Sequence, residues 1–201
     1  MLTLIPPMMA RGVDRVFRFE GRLYIPCSSV RLAAGPFLSP SLNLVEQHLE
    51  LPPEFLLFRH LDIQLDRAGP AAAWVRGDSM IDRGIFDGDI VIFQRYDFGS
   101  VQNGKIMVIE KVDEEEGFGS WALKKLIIKR PGSTRQSEYG DEIDWNDPEI
   151  VLRSYNPRVR QIQLDPKGRY RVHGIFLRSM PRQDVTLVES DVIRRLATGA
   201  E

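Results

Sequence analysis

"WVRGDSMIDRGIFDGDIVIFQ", residues 74–94, sets Ser79 between Asp78 and Met80 on a tight turn that separates two apolar stretches. Gly77 precedes the turn and Asp87-Gly88-Asp89 forms a second one, so the stretch predicts strand, turn, turn, strand. A serine displayed on such a turn invites comparison with a nucleophile. Its hydroxyl is weak, however, until a neighbouring group takes the proton.

Downstream the same pattern recurs. "DIVIFQ", "KIMVIEK", "WALKKLIIK", "EIVLRS" and "YRVHGIFLRS" are short, rich in β-branched residues, and separated by turn residues such as Asn103-Gly104 and Pro166-Lys167-Gly168. The spacing predicts a compact, mainly β domain over residues 71–180. Two acidic stretches, Asp113–Glu116 and Asp141–Glu149, interrupt it and are expected to be solvated loops. The tail over 181–201 ends in "ESDVIRRLATGAE", which suits one short amphipathic helix.

Upstream, residues 1–50 have the character of an extended arm. "VFRFEGRLYIP" alternates around Glu20-Gly21 and suits a hairpin, while "SVRLAAGPFLSP" breaks into small residues and prolines. "SPSLNLVEQHLEL" places Leu42, Val45 and Leu49 on one helical face and predicts a short helix with Ser39 or Ser41 as N-cap. Residues 51–70 form a connecting segment, with a second short helix expected at Pro52-Pro53. Nothing in 1–38 has the two packed helices of a helix-turn-helix, so direct sequence-specific DNA binding is not expected.

Composition narrows the class. The chain has 201 residues, 43% hydrophobic and 27% charged, with a formal net charge of −1, so no global basic field points to nucleic acid. One cysteine, Cys27, excludes an intramolecular disulfide and suits a reducing cytoplasm. No apolar run approaches the ~20 residues of a membrane helix, and the prolines of "MLTLIPPMMARG" break any signal-peptide core. Asp78, Asp82, Asp87 and Asp89 match no calcium-loop spacing, and the Asp87-Gly88-Asp89 turn explains them better, so no metal or cofactor is expected. Lys124, Lys125, Lys129 and Arg130 suit a solvated strand better than a phosphate contact, given the acidic segments on both sides.

What would activate Ser79? His48, His60 and His173 fall in no motif that pairs with a nucleophile, which makes packing or surface roles the better fit. The other partner known for a catalytic serine is a lysine whose pKa has been lowered by burial from about 10.4. If 121–130 is a strand, Ala122, Lys124, Leu126 and Ile128 share one face, where Lys124 is the one charge; Lys125 shares the other with Lys129. A buried row would desolvate Lys124. An exposed edge strand would leave both lysines in water, and periodicity alone leaves the two open.

Gly77-Asp78-Ser79-Met80, followed by "IDRGIFDGDIVI", "NGKIMVIE", "LKKL" and "VHGIF", resembles the Ser/Lys self-cleaving peptidases of the LexA/UmuD type over residues 71–180. The resemblance implies Ser79 as nucleophile, Lys124 as general base and the backbone N–H groups of Asp78 and Ser79 as oxyanion donors. Further upstream "RLAAGPFLSPSLNLVEQHLEL" resembles the cleavage region of the UmuD branch, which implies that the chain cuts itself between Ala34 and Gly35. Small residues suit a peptide that must press its backbone against the serine.

A second Ala-Gly-Pro at 68–70 is too close: Gly69 is ten residues before Ser79, on the strand that leads into the serine turn. Ala34 is 45 positions away (79 − 34), enough to span more than ~100 Å extended. Pro36 after the glycine, the two acidic insertions and the longer tail depart from the family pattern. The resemblance further implies a homodimer, activation by RecA-type filaments on damaged DNA, and a cleaved form that serves a Y-family error-prone DNA polymerase. The alternative within the family is a transcriptional regulator inactivated by its own cleavage.

Overall fold

The computed structural model describes residues 3–4, 16–33, 47–51, 69–95, 102–111, 120–129, 134–137, 140–143, 150–165 and 168–198. In chain order the strands are β1 (Thr3–Leu4), β2 (Phe17–Phe19), β3 (Arg22–Ala33), β4 (Gln47–Leu51), β5 (Pro70–Arg76), β6 (Ile90–Arg95) and β7 (Ile106–Lys111). They continue as β8 (Ser120–Ile128), β9 (Thr134–Ser137), β10 (Gly140–Ile143), β11 (Ile150–Arg153), β12 (Ile162–Gln163), β13 (Arg169–Met180) and β14 (Thr186–Glu189), before helix α1 (Ser190–Thr198). The fold is mainly β, as the strand spacing predicts.

Twelve strands form one sheet, in the order β12-β11-β8-β7-β13-β6-β5-β3-β4-β14, with β1 on β13 and β2 on β3. One extra pairing bends it: Ala33 at the end of β3 lies opposite Ala122 of β8. The path β3-β5-β6-β13-β7-β8 therefore closes on itself. A buried cluster fills the ring, with Leu32 from β3, Val75 from β5, Phe93 from β6, Val108 from β7 and Leu123 from β8; Phe176 of β13 packs against it. Closure brings the end of β5, which leads to Ser79, towards β8, which holds Lys124.

Two irregularities let the long β13 serve two neighbours. It pairs with β7 through its first half and β6 through its second, with register shifts between Val172 and Gly174 and between Phe176 and Arg178. Gly174 is required there: a Cβ would stand 2.4 Å from the Gln94 carbonyl oxygen and 2.4 Å from the Phe93 ring.

Local expectations divide. The Glu20-Gly21 hairpin forms, with φ of 47° and 75° at its two central residues and Phe19 paired to Arg22. The C-terminal helix forms as α1. The helix expected over 39–51 does not extend through its described part, since Gln47–Leu51 is strand β4 between β3 and β14. The Leu42/Val45/Leu49 spacing is compatible with a helix. Burial of His48, Leu49 and Leu51 against two neighbouring strands decides for sheet. Of the second acidic stretch, Asp141–Ile143 is also strand rather than loop, since β10 pairs with β9. Residues 113–116 and 144–149 and the Pro52-Pro53 helix lie outside the described residues.

Candidate active site

Ser79 sits on the turn that follows β5. Gly77 takes the left-handed region at φ 96°, a conformation that costs glycine nothing, and its N–H donates to Asp87 Oδ1 at 2.6 Å. Gly88 N–H bonds to the Val75 carbonyl at 3.0 Å, and the Phe86 N–H donates to Asp89 Oδ2 at 2.8 Å. Asp87 thus ties the second turn to the first, and Asp89 braces the second turn from within. Behind them Met80 and Ile85 are fully buried, which anchors the serine loop from its apolar side.

Lys124 lies in the middle of β8, paired with Met107 of β7, and is fully buried. Its row, Ala122, Leu126 and Ile128, is buried with it, which settles the choice left open by periodicity. The opposite row is buried at its start, where Trp121 and Leu123 enter the ring, and opens outward at Lys125 and Lys129. Lys125 Nζ stands 5.6 Å above the Tyr155 ring.

Ser79 and Lys124 meet. Lys124 Nζ lies 2.5 Å from Ser79 Oγ, and Ser79 too is fully buried. Burial pushes the lysine down from 10.5 to about 8, and the nearby Asp78 carboxylate pulls in the opposite direction without cancelling it. A pKa of about 8 leaves roughly a tenth of the amines neutral at pH 7 and most of them neutral at pH 9, each with its lone pair facing a hydroxyl at hydrogen-bonding distance. That arrangement can remove a proton from Ser79.

The arm reaches the same place. Strand β3 runs parallel to β5, with Leu32 opposite Val75 and Ala33 opposite Arg76, three residues before Ser79. Its end is also opposite Ala122, two residues before Lys124. The expected scissile pair Ala34-Gly35 and Pro36 lie outside the described residues, but the strand that precedes them ends between the two strands of the dyad. Of the competing Ala68-Gly69 pair, Gly69 precedes Pro70 at the opposite end of β5 and its carbonyl accepts from Arg95, while Ala68 lies outside the described residues.

The histidines go elsewhere. His173 stacks on Trp121 with ring centroids 3.7 Å apart and meets Glu110 Oε2 at 2.8 Å. Burial lowers its pKa, against the opposing pull of Glu110. His48 is buried on β4 beside Ser190 Oγ, at 3.1 Å, and His60 lies outside the described residues, as does Arg130. The Cys27 thiol is pushed up to about 12 by burial, which makes it inert.

Sequence reasoning missed the loop that braces the serine turn. After β11, Tyr155 N–H donates to the Ser79 carbonyl at 2.7 Å and Asn156 Nδ2 donates to the Asp78 carbonyl at 3.2 Å. The available signal was the Ser154-Tyr155-Asn156-Pro157 run, polar and proline-terminated directly after a strand.

Comparison with known proteins identifies the family. The sequence model of the family described as Peptidase S24-like matches residues 26–133, which takes in most of β3, the serine turn and the lysine strand. The chain is also similar to LexA repressor 2 of Pseudomonas putida, with 33% identity over 175 residues, 86% of this chain and 68% of that protein.

Proposed function

The chain belongs to the Peptidase S24-like family, and on that premise we propose that it is a serine endopeptidase that cuts itself between Ala34 and Gly35. The observation that carries the reading is the 2.5 Å approach of a buried Lys124 amine to Ser79 Oγ. Neutral Lys124 takes the Ser79 proton as Oγ attacks the Ala34 carbonyl carbon. The resulting oxyanion is received by the Asp78 and Ser79 N–H groups. Lys124, now an ammonium, gives its proton to the Gly35 nitrogen as the C–N bond breaks. Water then releases Ala34 from the Ser79 ester, with Lys124 again as base.

The cut changes what the chain does for others. In the UmuD-like reading, the 35–201 product is a homodimeric, cytoplasmic accessory subunit of an error-prone Y-family polymerase, and a RecA-type filament stimulates its formation. The similarity to a LexA repressor favours a second reading, a transcriptional regulator inactivated by the cut. A gel shift on DNA from the protein's own promoter with the uncleavable Ser79→Ala chain separates them: a specific shift selects the regulator.

The peptidase reading is tested by self-cleavage of purified protein from pH 6 to 10.5, followed by intact mass. Fragments 1–34 and 35–201 are expected. Because the base works only when neutral, the rate should rise about tenfold per pH unit and bend to a plateau near pH 8. A rate independent of pH between 6 and 8, or a cut after Ala68, would overturn the assignment.

A further inference from the structure

We propose that Asn156 is a positioning residue that aims the Ser79 N–H at the developing oxyanion, an inference that rests on the peptidase reading above. Asn156 is buried, and Pro157 after it restricts its backbone to extended conformations. Its Oδ1 accepts the Arg158 N–H at 2.9 Å, which assigns the other end of the amide as the donor. That donor, Nδ2, reaches the Asp78 carbonyl oxygen at 3.2 Å.

The peptide between Asp78 and Ser79 is planar and trans, so its C=O and N–H point in opposite directions. Fixing the Asp78 carbonyl therefore fixes the direction of the Ser79 N–H. The turn supplies one restraint of its own, from the Ile81 N–H at 3.1 Å, but that bond moves with the turn. Asn156 comes from outside. Its loop begins after Arg153, which pairs with Lys125 of the lysine strand, so the clamp ties the serine turn to the element that carries the base. The same loop holds the next peptide through Tyr155 N–H to the Ser79 carbonyl, and its Tyr155 carbonyl accepts the Asp82 N–H at 2.9 Å.

The test compares wild type, Asn156→Ala and Asn156→Asp in full-length protein, by first-order self-cleavage from pH 6 to 10.5 and by thermal unfolding. Deleting one oxyanion donor outright costs roughly 10²- to 10³-fold, and a mis-aimed donor should lose part of that. Asn156→Ala should lower the plateau rate roughly 10- to 100-fold with its midpoint still near pH 8. An unchanged plateau, or a loss accompanied by a midpoint shift of about one unit or more, overturns the proposal, because it would place the effect on the burial of Lys124. Asn156→Asp keeps the shape and the acceptor but removes the donor, so it decides the matter if the alanine variant fails to fold. It should lose at least as much of the plateau, and a wild-type plateau there overturns the proposal. Absence of cleavage in wild type would instead sink the peptidase reading itself.

Discussion

Lys124 on β8 and Arg171 on β13 are both buried cations of one sheet, separated by the single strand β7. Arg171 is met by Glu110, whose Oε2 stands 2.8 Å from the guanidinium and 2.8 Å from His173 Nε2. Lys124 is met by a hydroxyl at 2.5 Å. Desolvation penalises both charges, but only the arginine has a carboxylate in contact to offset it. Arginine also keeps its proton throughout the accessible range, whereas lysine can relieve the penalty by releasing its own. The partner thus decides the use: a countercharge makes a buried cation structural, and a hydroxyl makes it a base.

The sharpest way to break this comparison is to remove either half of the dyad. Ser79→Ala and Lys124→Ala should each abolish self-cleavage, a loss of more than about 10³-fold, while the protein stays folded. Intact mass after prolonged incubation at pH 9, beside a circular dichroism spectrum, measures both. Residual cleavage in Lys124→Ala that still bends near pH 8 would assign the base elsewhere.

On the other side of the comparison, Glu110→Ala should destabilise the fold by about 3–5 kcal/mol, because it leaves Arg171 buried without its countercharge. Urea unfolding at pH 7 reads this directly. A loss below about 1 kcal/mol would mean that Arg171 reaches water by another route.

Lys124 predicts the opposite sign. Its folded pKa of about 8 lies below the ordinary 10.5, so below pH 8 both folded and unfolded chains hold the proton and the folded state bears the full desolvation cost, about 3 kcal/mol. Between pH 8 and 10.5 the unfolded chain binds the extra proton, so stability rises with pH and the cost disappears. Lys124→Met should therefore be about 1–3 kcal/mol more stable than wild type at pH 7, after allowance for the Ser79 hydroxyl that it leaves alone. The advantage should shrink by pH 10. Equal stability at both pH values would show that Lys124 is solvated.

Much of this was legible because strands announce themselves locally. The alternation in "WALKKLIIK" put Lys124 in an apolar row, and the Gly77 and Asp87-Gly88-Asp89 turns marked where the serine would be displayed. What was not legible depends on distant partners. Leu42, Val45 and Leu49 fit a helical face, yet Gln47–Leu51 is strand β4, and one of its two neighbours, β14, lies more than a hundred residues away. Closure of the ring rests on one pairing, Ala33 with Ala122, that no local pattern encodes. It also explains why Trp121 and Leu123 are buried although they share a row with Lys125: they enter the ring cluster, while a second cluster with β7, β11 and β13 covers the other face of β8. Asn156 had the weakest signal, since its importance lies in which carbonyl it meets.

The smallest effect is expected at Lys125, next in sequence to the base and opposite in direction. Its ammonium lies 5.6 Å from the Tyr155 ring, over which Arg83 also stands at 5.2 Å. The Tyr155 backbone holds the Ser79 carbonyl, so Lys125 touches the brace of the serine turn without touching the reacting atoms. A partly exposed cation–π contact contributes about 0.5–1 kcal/mol, and Arg83 remains to hold the ring. Lys125→Ala should therefore keep the cleavage rate within about threefold of wild type, with the midpoint of the pH profile still near 8. Side-by-side profiles of Lys125→Ala and wild type measure both quantities. A loss as deep as that of Lys124→Ala would place the base on the other face of β8 and exchange the roles of the two lysines.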